Sequence, residues 1–191
     1  MATVSESMLR ERAAKVTAVR RKAARQVLEE ATVTKSDSFD VFLSYSSGEP
    51  PEFILGLREF LLDNNLNVYI DKFDDPSMTP DTVTKETAET LRKRLRQSKA
   101  LLFLHSSQSP KSKWMPWELG FFDAYRSKVA IFPVTSGRDE TYSGQEYLGI
   151  YPYVDRRKAR NSENQFFWVW DGPNYARFDL WVKGKAEIER R

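Results

Sequence analysis

An α/β fold built on a parallel sheet is what this chain predicts, on three observations. Apolar strand-like runs and helically spaced segments alternate five times between Phe39 and Val182. One run, Ala100-Leu101-Leu102-Phe103-Leu104, is apolar without a break, which suits a central strand covered on both faces. Right-handed crossovers between parallel strands then place helices on both sides of the sheet.

The elements follow in order. Glu6 to Glu30 is rich in Ala, Arg and Leu and has no Gly or Pro, and Leu9, Ala13, Val16, Ala23 and Val27 form a thin helical stripe. So thin a stripe predicts packing on the body or on a twin helix rather than on a membrane, because alanine adds little apolar depth and acids interrupt the face. Thr32 to Ser38 is polar and reads as a linker, which divides the chain into a basic helix with linker over 1–37 and a single domain over 38–191.

Phe39 to Tyr45 is a short apolar strand ending in small polar residues. Phe53, Ile54, Leu57, Phe60 and Leu61 have helical spacing, Asn64-Asn65 stops that helix, and Leu66 to Ile70 returns to strand-forming residues. Asp71 to Asp81 carries two prolines and is a loop. Thr82 to Gln97 is a helix with Val83, Thr87, Leu91 and Leu95 on one face and Arg92, Lys93, Arg94 and Arg96 on a face read as solvated. After Ala100–Leu104, the polar loop His105 to Lys113 leads into a helix over Trp114 to Tyr125, where Pro116 is tolerable only in the first turn. Val129 to Val134 is a further buried strand. Residues 135–164 read as irregular, Phe166 to Trp170 as the last strand and Tyr175 to Val182 as a closing helix.

Composition narrows the chemistry. At 191 residues and 40% hydrophobic, the chain can bury one good core. The absence of cysteine excludes a disulfide framework, a thiolate metal site and a thiol nucleophile. A single histidine, His105, excludes a His-based metal cluster and leaves one possible base for a Ser-His-Asp triad. No run approaches the roughly 18 apolar residues of a membrane span. Residues 1–37 hold eight Lys/Arg against five Asp/Glu, an excess that equals the +3 of the whole chain. The body is therefore near neutral, which argues against a nucleic-acid partner. The expectation is a soluble cytoplasmic protein with no metal and no bound cofactor.

Open parallel sheets bind ligands beyond the carboxyl ends of their strands, where strand order reverses. In a flavodoxin-like order that point lies between the first and third strands. The loops there are Ser44-Tyr45-Ser46-Ser47-Gly48 and His105 to Lys113, and the second delivers Trp114 and Glu118 at the start of the next helix. Trp114-Met115-Pro116-Trp117-Glu118-Leu119-Gly120-Phe121-Phe122 places one carboxylate between two tryptophans and an apolar helical face. Trp114 and Glu118 are four apart and share a face. Flat aromatic surface beside a carboxylate suits a ligand with a ring to stack and a developing positive charge.

These residues resemble the Toll/interleukin-1 receptor (TIR) family, in its prokaryotic NAD-consuming form. Phe39-Asp40-Val41-Phe42-Leu43-Ser44-Tyr45 resembles its first strand, and Asn67-Val68-Tyr69-Ile70-Asp71 its second, followed by the proline-containing BB loop. Ala100 to Ser106 resembles the third strand, and Ser112 to Leu119 the Ser-x-Trp…Glu-Leu signature. The match runs in register from about Phe39 to Val134. It implies a flavodoxin-like five-stranded parallel sheet with helices on both faces, here preceded by an N-terminal helix.

The resemblance also implies a function. In TIR enzymes NAD cleavage depends on the signature glutamate, which falls on Glu118. Trp114 with Glu118 forms the Trp-x-x-x-Glu pattern of TIR enzymes that make cyclic ADP-ribose isomers. Trp114 would stack a base, Ser44, Tyr45 and Ser46 would line the nucleotide, and Phe73 would add a ring from the BB loop. The first loop lacks the arginines that pair a pyrophosphate in some relatives, so Lys72, Lys111 or Lys113 would take that part. The implied role is release of nicotinamide with ADP-ribose or a cyclic isomer, as an antiviral signal to a downstream effector, from a site completed by TIR–TIR self-association. NAD is a substrate in this reading rather than a cofactor.

Plainer accounts compete residue by residue. Glu118 could be a carboxylate favoured by the helix macrodipole. One of Trp114 and Trp117 is expected in the core. His105 is read as a structural or rim residue, Asp71 and Asp74 as loop caps, and Trp168 and Trp170 as core or interface. Two other functions share the fold: a non-catalytic adaptor that self-associates, and a deoxyribosyltransferase-like glycosidase acting on nucleosides.

Overall fold

The computed structural model describes residues 4–31, 38–70, 84–136, 146–159 and 163–188. Its centre is a sheet with the order β3-β2-β4-β5-β6-β7-β8. Strands β2 (Phe39–Ser44), β3 (Val68–Tyr69), β4 (Ser98–His105), β5 (Val129–Thr135) and β6 (Tyr153–Lys158) run parallel. Strands β7 (Gln165–Asp171) and β8 (Asn174–Arg177) continue it as an antiparallel meander. A two-residue β1 (Val4–Ser5) pairs with the end of β5, Val4 opposite Val134 and Ser5 opposite Thr135.

Strand alternation sorts the core into two layers. Val41, Leu43, Leu102, Leu104, Phe132 and Val169 face one side, covered by α1 (Glu6–Arg20), α2 (Ala24–Ala31), α3 (Pro51–Asp63) and α6 (Phe178–Val182). Phe42, Leu101, Phe103 and Ile131 face the other, covered by α4 (Lys85–Gln97) and α5 (Trp114–Arg126). The first four parallel strands and the two helical layers are those the sequence predicts.

Several details differ from the sequence reading. The N-terminal helix is two helices, broken where Arg21 adopts the left-handed conformation at φ 53°. It packs on the body: Leu9 and Ala13 are buried, Arg12 holds Asp63 through two hydrogen bonds of 2.9 and 3.1 Å, and Arg10 lies over the Phe53 ring at 4.7 Å. The backbones of α1 and α3 touch at Gly56, where a Cβ would sit 2.2 Å from the Leu9 carbonyl oxygen. That approach is possible only for glycine.

The fifth parallel strand is Tyr153–Lys158, inside the segment expected to be irregular. Its charges hid it, because only Val154 turns to the first core and Asp155 is buried through bonds to Trp170 Nε1 (2.8 Å) and Arg157 Nε (2.6 Å). Phe166 to Trp170 is thus not the fifth parallel strand but an antiparallel neighbour of it. Tyr175 to Val182 begins in strand β8 and becomes helical only at Phe178. The basic face of α4 is not merely solvated. Arg92 lies over Trp117 at 5.5 Å, Arg96 over Phe121 at 5.4 Å, and Arg94 over Tyr69 at 5.5 Å.

Candidate active site

The strand order reverses between β2 and β4, whose neighbours lie on opposite sides, so the loops after these two strands flank the crevice. At the end of β2, Ser44 is buried on the face that turns toward α5. The helix begins at Trp114, with the Met115 amide donating to Ser112 Oγ at 3.3 Å and Pro116 in the first turn, where no amide hydrogen is needed. One turn on, Glu118 is only 3% exposed, and its Oε2 accepts a 2.5 Å hydrogen bond from Ser44 Oγ. This contact joins residues 74 apart in sequence and fixes a carboxyl group at the strand-order switch.

An aromatic ridge covers the same helix. Trp114 meets Trp117 edge to face, ring centroids 5.4 Å apart, and Trp117 stacks on Phe121 at 5.7 Å. Both tryptophans are half-buried against the second core, so neither is the fully buried member expected of the pair. Placing indole surface next to a buried carboxyl is what the Trp-x-x-x-Glu spacing achieves.

The remaining expected residues separate. Tyr45 is buried and packs in the first core, on the far side of the sheet from α5. Ser46 is buried in the tight turn after β2, where its hydroxyl accepts from the Gly48 amide at 3.4 Å. Lys111 is exposed and donates to Gln108 Oε1 at 2.8 Å, and Lys113 is exposed beside Trp114. Phe73, Lys72, Asp71 and Asp74 lie outside the described residues.

Two features escaped the sequence reading. The first is Glu49, a buried loop carboxyl whose Oε1 accepts from Ser106 Oγ, tying the loop after β2 to the loop after β4. Its Oε2 has no hydrogen-bond partner among the described residues. Burial pushes the Glu49 carboxyl above the ordinary glutamate value; the Ser106 bond opposes this and the nearby Glu6 charge adds to it. A charge only five residues beyond a strand end was the available signal, but nothing local marks it as buried.

The second is a cleft of about 560 Å³ beside the first turn of α5, lined by Phe103, His105, Ser109, Pro116 and Tyr147 among others. It adjoins the carboxyl contact directly, since Phe103 is the register partner of Ser44 and points to the same face. His105 Nδ1 lies 3.3 Å from Ser109 Oγ, and burial lowers the ring's pKa, which favours neutral imidazole. The rim position expected of His105 is where it stands. Its neighbours come from the loop after β4 and from a 3-10 turn at Glu146–Ile150, within the segment read as irregular.

Comparison with known proteins places this chain in a family. The TIR domain family model matches residues 41–167, two thirds of the chain and every element from β2 into β7. The protein belongs to the TIR domain family. One relative of this TIR protein is named a probable 3′ cyclic ADP-D-ribose synthase, ThsB′, from Bacillus cereus (strain MSX-D12). The two are 41% identical over 165 residues, which covers 84% of this chain and 85% of the relative. That span exceeds the family match, so the likeness extends beyond the common TIR region. No helix among the described residues of the TIR protein is long and apolar enough to cross a membrane.

Proposed function

We propose that this TIR protein cleaves NAD, releasing nicotinamide and forming ADP-ribose or a cyclic ADP-ribose isomer as a signal in antiviral defence. The observation that carries the reading is Glu118, buried at the strand-order switch, held by Ser44 and four residues from Trp114. The likeness to a relative named a probable 3′ cyclic ADP-D-ribose synthase supports the same chemistry.

The geometry suits the reaction. The bond between the ribose anomeric carbon and nicotinamide breaks with its electron pair leaving on the nicotinamide nitrogen, which neutralises the pyridinium ring. Positive charge develops on the ribose, and a fixed carboxylate beside it stabilises that charge more than it stabilises the substrate. Ser44 holds the Oε2 edge of Glu118, so the group need not reorganise as charge appears. Trp114 offers a flat surface on which a base stacks and the ADP-ribosyl group folds back. Water at the anomeric carbon gives ADP-ribose; a nucleophile from the same molecule gives a ring. Ser46 and the BB-loop residue Phe73 belong to the proposed nucleotide surface, and Tyr45 supports it from the first core.

We assign the product to a downstream effector that reads the nucleotide, and the site to full assembly through TIR–TIR contacts in the cytoplasm. The test is chromatography of NAD incubated with concentrated protein, beside Glu118→Ala. Nicotinamide release by the wild type and its loss in the variant, with thermal unfolding unchanged, is the expected outcome. Equal release by both removes Glu118 from the catalytic role.

A further inference from the structure

The cleft beside α5 differs in chemistry from the Glu118 crevice it adjoins. Among the described residues that line it there is no Lys, Arg, Asp or Glu; the walls are Phe103, Pro110, Pro116 and Leu148, with His105, Ser109 and Ser112 as polar groups and Tyr147 at the mouth. Tyr147 is 44% exposed, so its ring can meet a ligand without leaving a core. The volume of about 560 Å³ falls within the roughly 300–1,000 Å³ of small-molecule sites, which are mostly apolar with a few placed polar groups.

A dinucleotide such as NAD carries two unlike rings. The pyridinium is cationic and belongs beside a carboxylate, whereas adenine is neutral, flat and rich in hydrogen-bond acceptors. The described lining offers no charge to offset the burial of a phosphate or a pyridinium, but it accepts a neutral base at little desolvation cost. Ser112, whose oxygen accepts from the Met115 amide, keeps its O–H as a donor for the base edge beside the imidazole, whereas Ser109 is already bonded to Ser106. Register fixes how close the two sites are. Ser44, which holds Glu118, and Phe103, which floors the cleft, sit opposite each other on neighbouring strands, which run about 4.8 Å apart. A single dinucleotide therefore reaches both.

We propose that this cleft is an adenine subsite, in which Phe103, His105 and Tyr147 hold the neutral base while the nicotinamide ribose lies at Glu118. The assignment rests on the reading of the crevice as a NAD site. It makes Tyr147 the stacking surface for the base.

The only histidine of the chain lines the cleft, so its ring resonances report on binding without ambiguity. The full chain is titrated with adenosine, with nicotinamide and with inorganic phosphate, following the His105 ring signals by NMR. Adenosine is expected to move them saturably and the other two to leave them in place. Tyr147→Ala is expected to weaken adenosine binding roughly fivefold or more, the range of a lost base–aromatic stack. No movement with adenosine, an equal response to nicotinamide, or unchanged affinity in Tyr147→Ala overturns the assignment. NAD cleavage without an adenosine response removes the subsite and keeps the enzyme. An adenosine response without NAD cleavage removes the enzyme and keeps the subsite.

Discussion

Ser44→Ala tests how the carboxyl at the centre of the site is held. The substitution deletes one oxygen and leaves the backbone of β2 able to pair with β3 and β4 as before. The lost contact is a 2.5 Å O–H···O bond to Glu118 Oε2, with both residues nearly excluded from solvent at 1% and 3% exposure. A hydrogen bond to a charged group contributes about 1.5–3 kcal/mol. At about 1.36 kcal/mol per factor of ten, that corresponds to a fall in kcat/KM of roughly ten- to 150-fold. The fall should lie mainly in kcat if the bond orients Glu118 for the charge that develops on ribose, because uniform binding would appear in KM. The assay is nicotinamide release at a range of NAD concentrations, with thermal unfolding measured in parallel. A variant that keeps its fold and cleaves NAD within twofold of wild type would refute the argument that Ser44 positions the carboxyl.

Trp114→Ala should move the product from cyclic toward linear ADP-ribose more than it slows NAD consumption, read as the ratio of the two product peaks; a wild type that makes only linear product ends that idea. Gly56→Ala should destabilise the fold by roughly 2 kcal/mol, since overpacking costs about 1–3 kcal/mol and here meets rigid backbone, while alanine returns about 1 kcal/mol of helix propensity. A urea midpoint at or above that of wild type would show that α1 and α3 are not in contact there. Glu49→Gln concerns pH. Because burial raises the folded-state pKa above 4.5, the folded protein binds this proton more tightly than the unfolded chain, so the contribution of Glu49 to stability is full below 4.5 and is lost as pH rises through the raised value. The stability of Glu49→Gln relative to wild type should therefore grow as pH rises from 4.5 through the raised folded-state value, and a difference independent of pH would place Glu49 in water.

Much of the site was legible because its signals are local. Trp114 and Glu118 share a helix face whatever the helix packs on, and four residues of spacing are enough to say so. The parallel order of the first four strands follows equally from local pattern, since Ala100–Leu104 and Val129–Val134 are too apolar for anything but a sheet interior. Tyr153–Lys158 was not legible, as its polarity comes from Asp155, Arg156, Arg157 and Lys158, and only their contacts with β7 show that Asp155 is inside. The arginines of α4 likewise read as solvent-facing until Trp117 and Phe121 arrive beneath them from another helix.

The sequence by itself determined the α/β class, the place of the crevice in strand order, and the pairing of indole and carboxyl on one helix. Each depends on periodicity or on spacing within a few residues. Tertiary structure alone decided that Ser44 rather than Tyr45 reaches Glu118, because successive strand residues point to opposite faces and only the helix on one face carries the carboxyl. It decided that Glu49 is buried against Ser106, 57 residues away, and that Phe103, His105 and Tyr147 line one cleft beside the carboxyl site. Burial and long-range hydrogen bonds are properties of neighbours distant in the chain, and no local pattern encodes them.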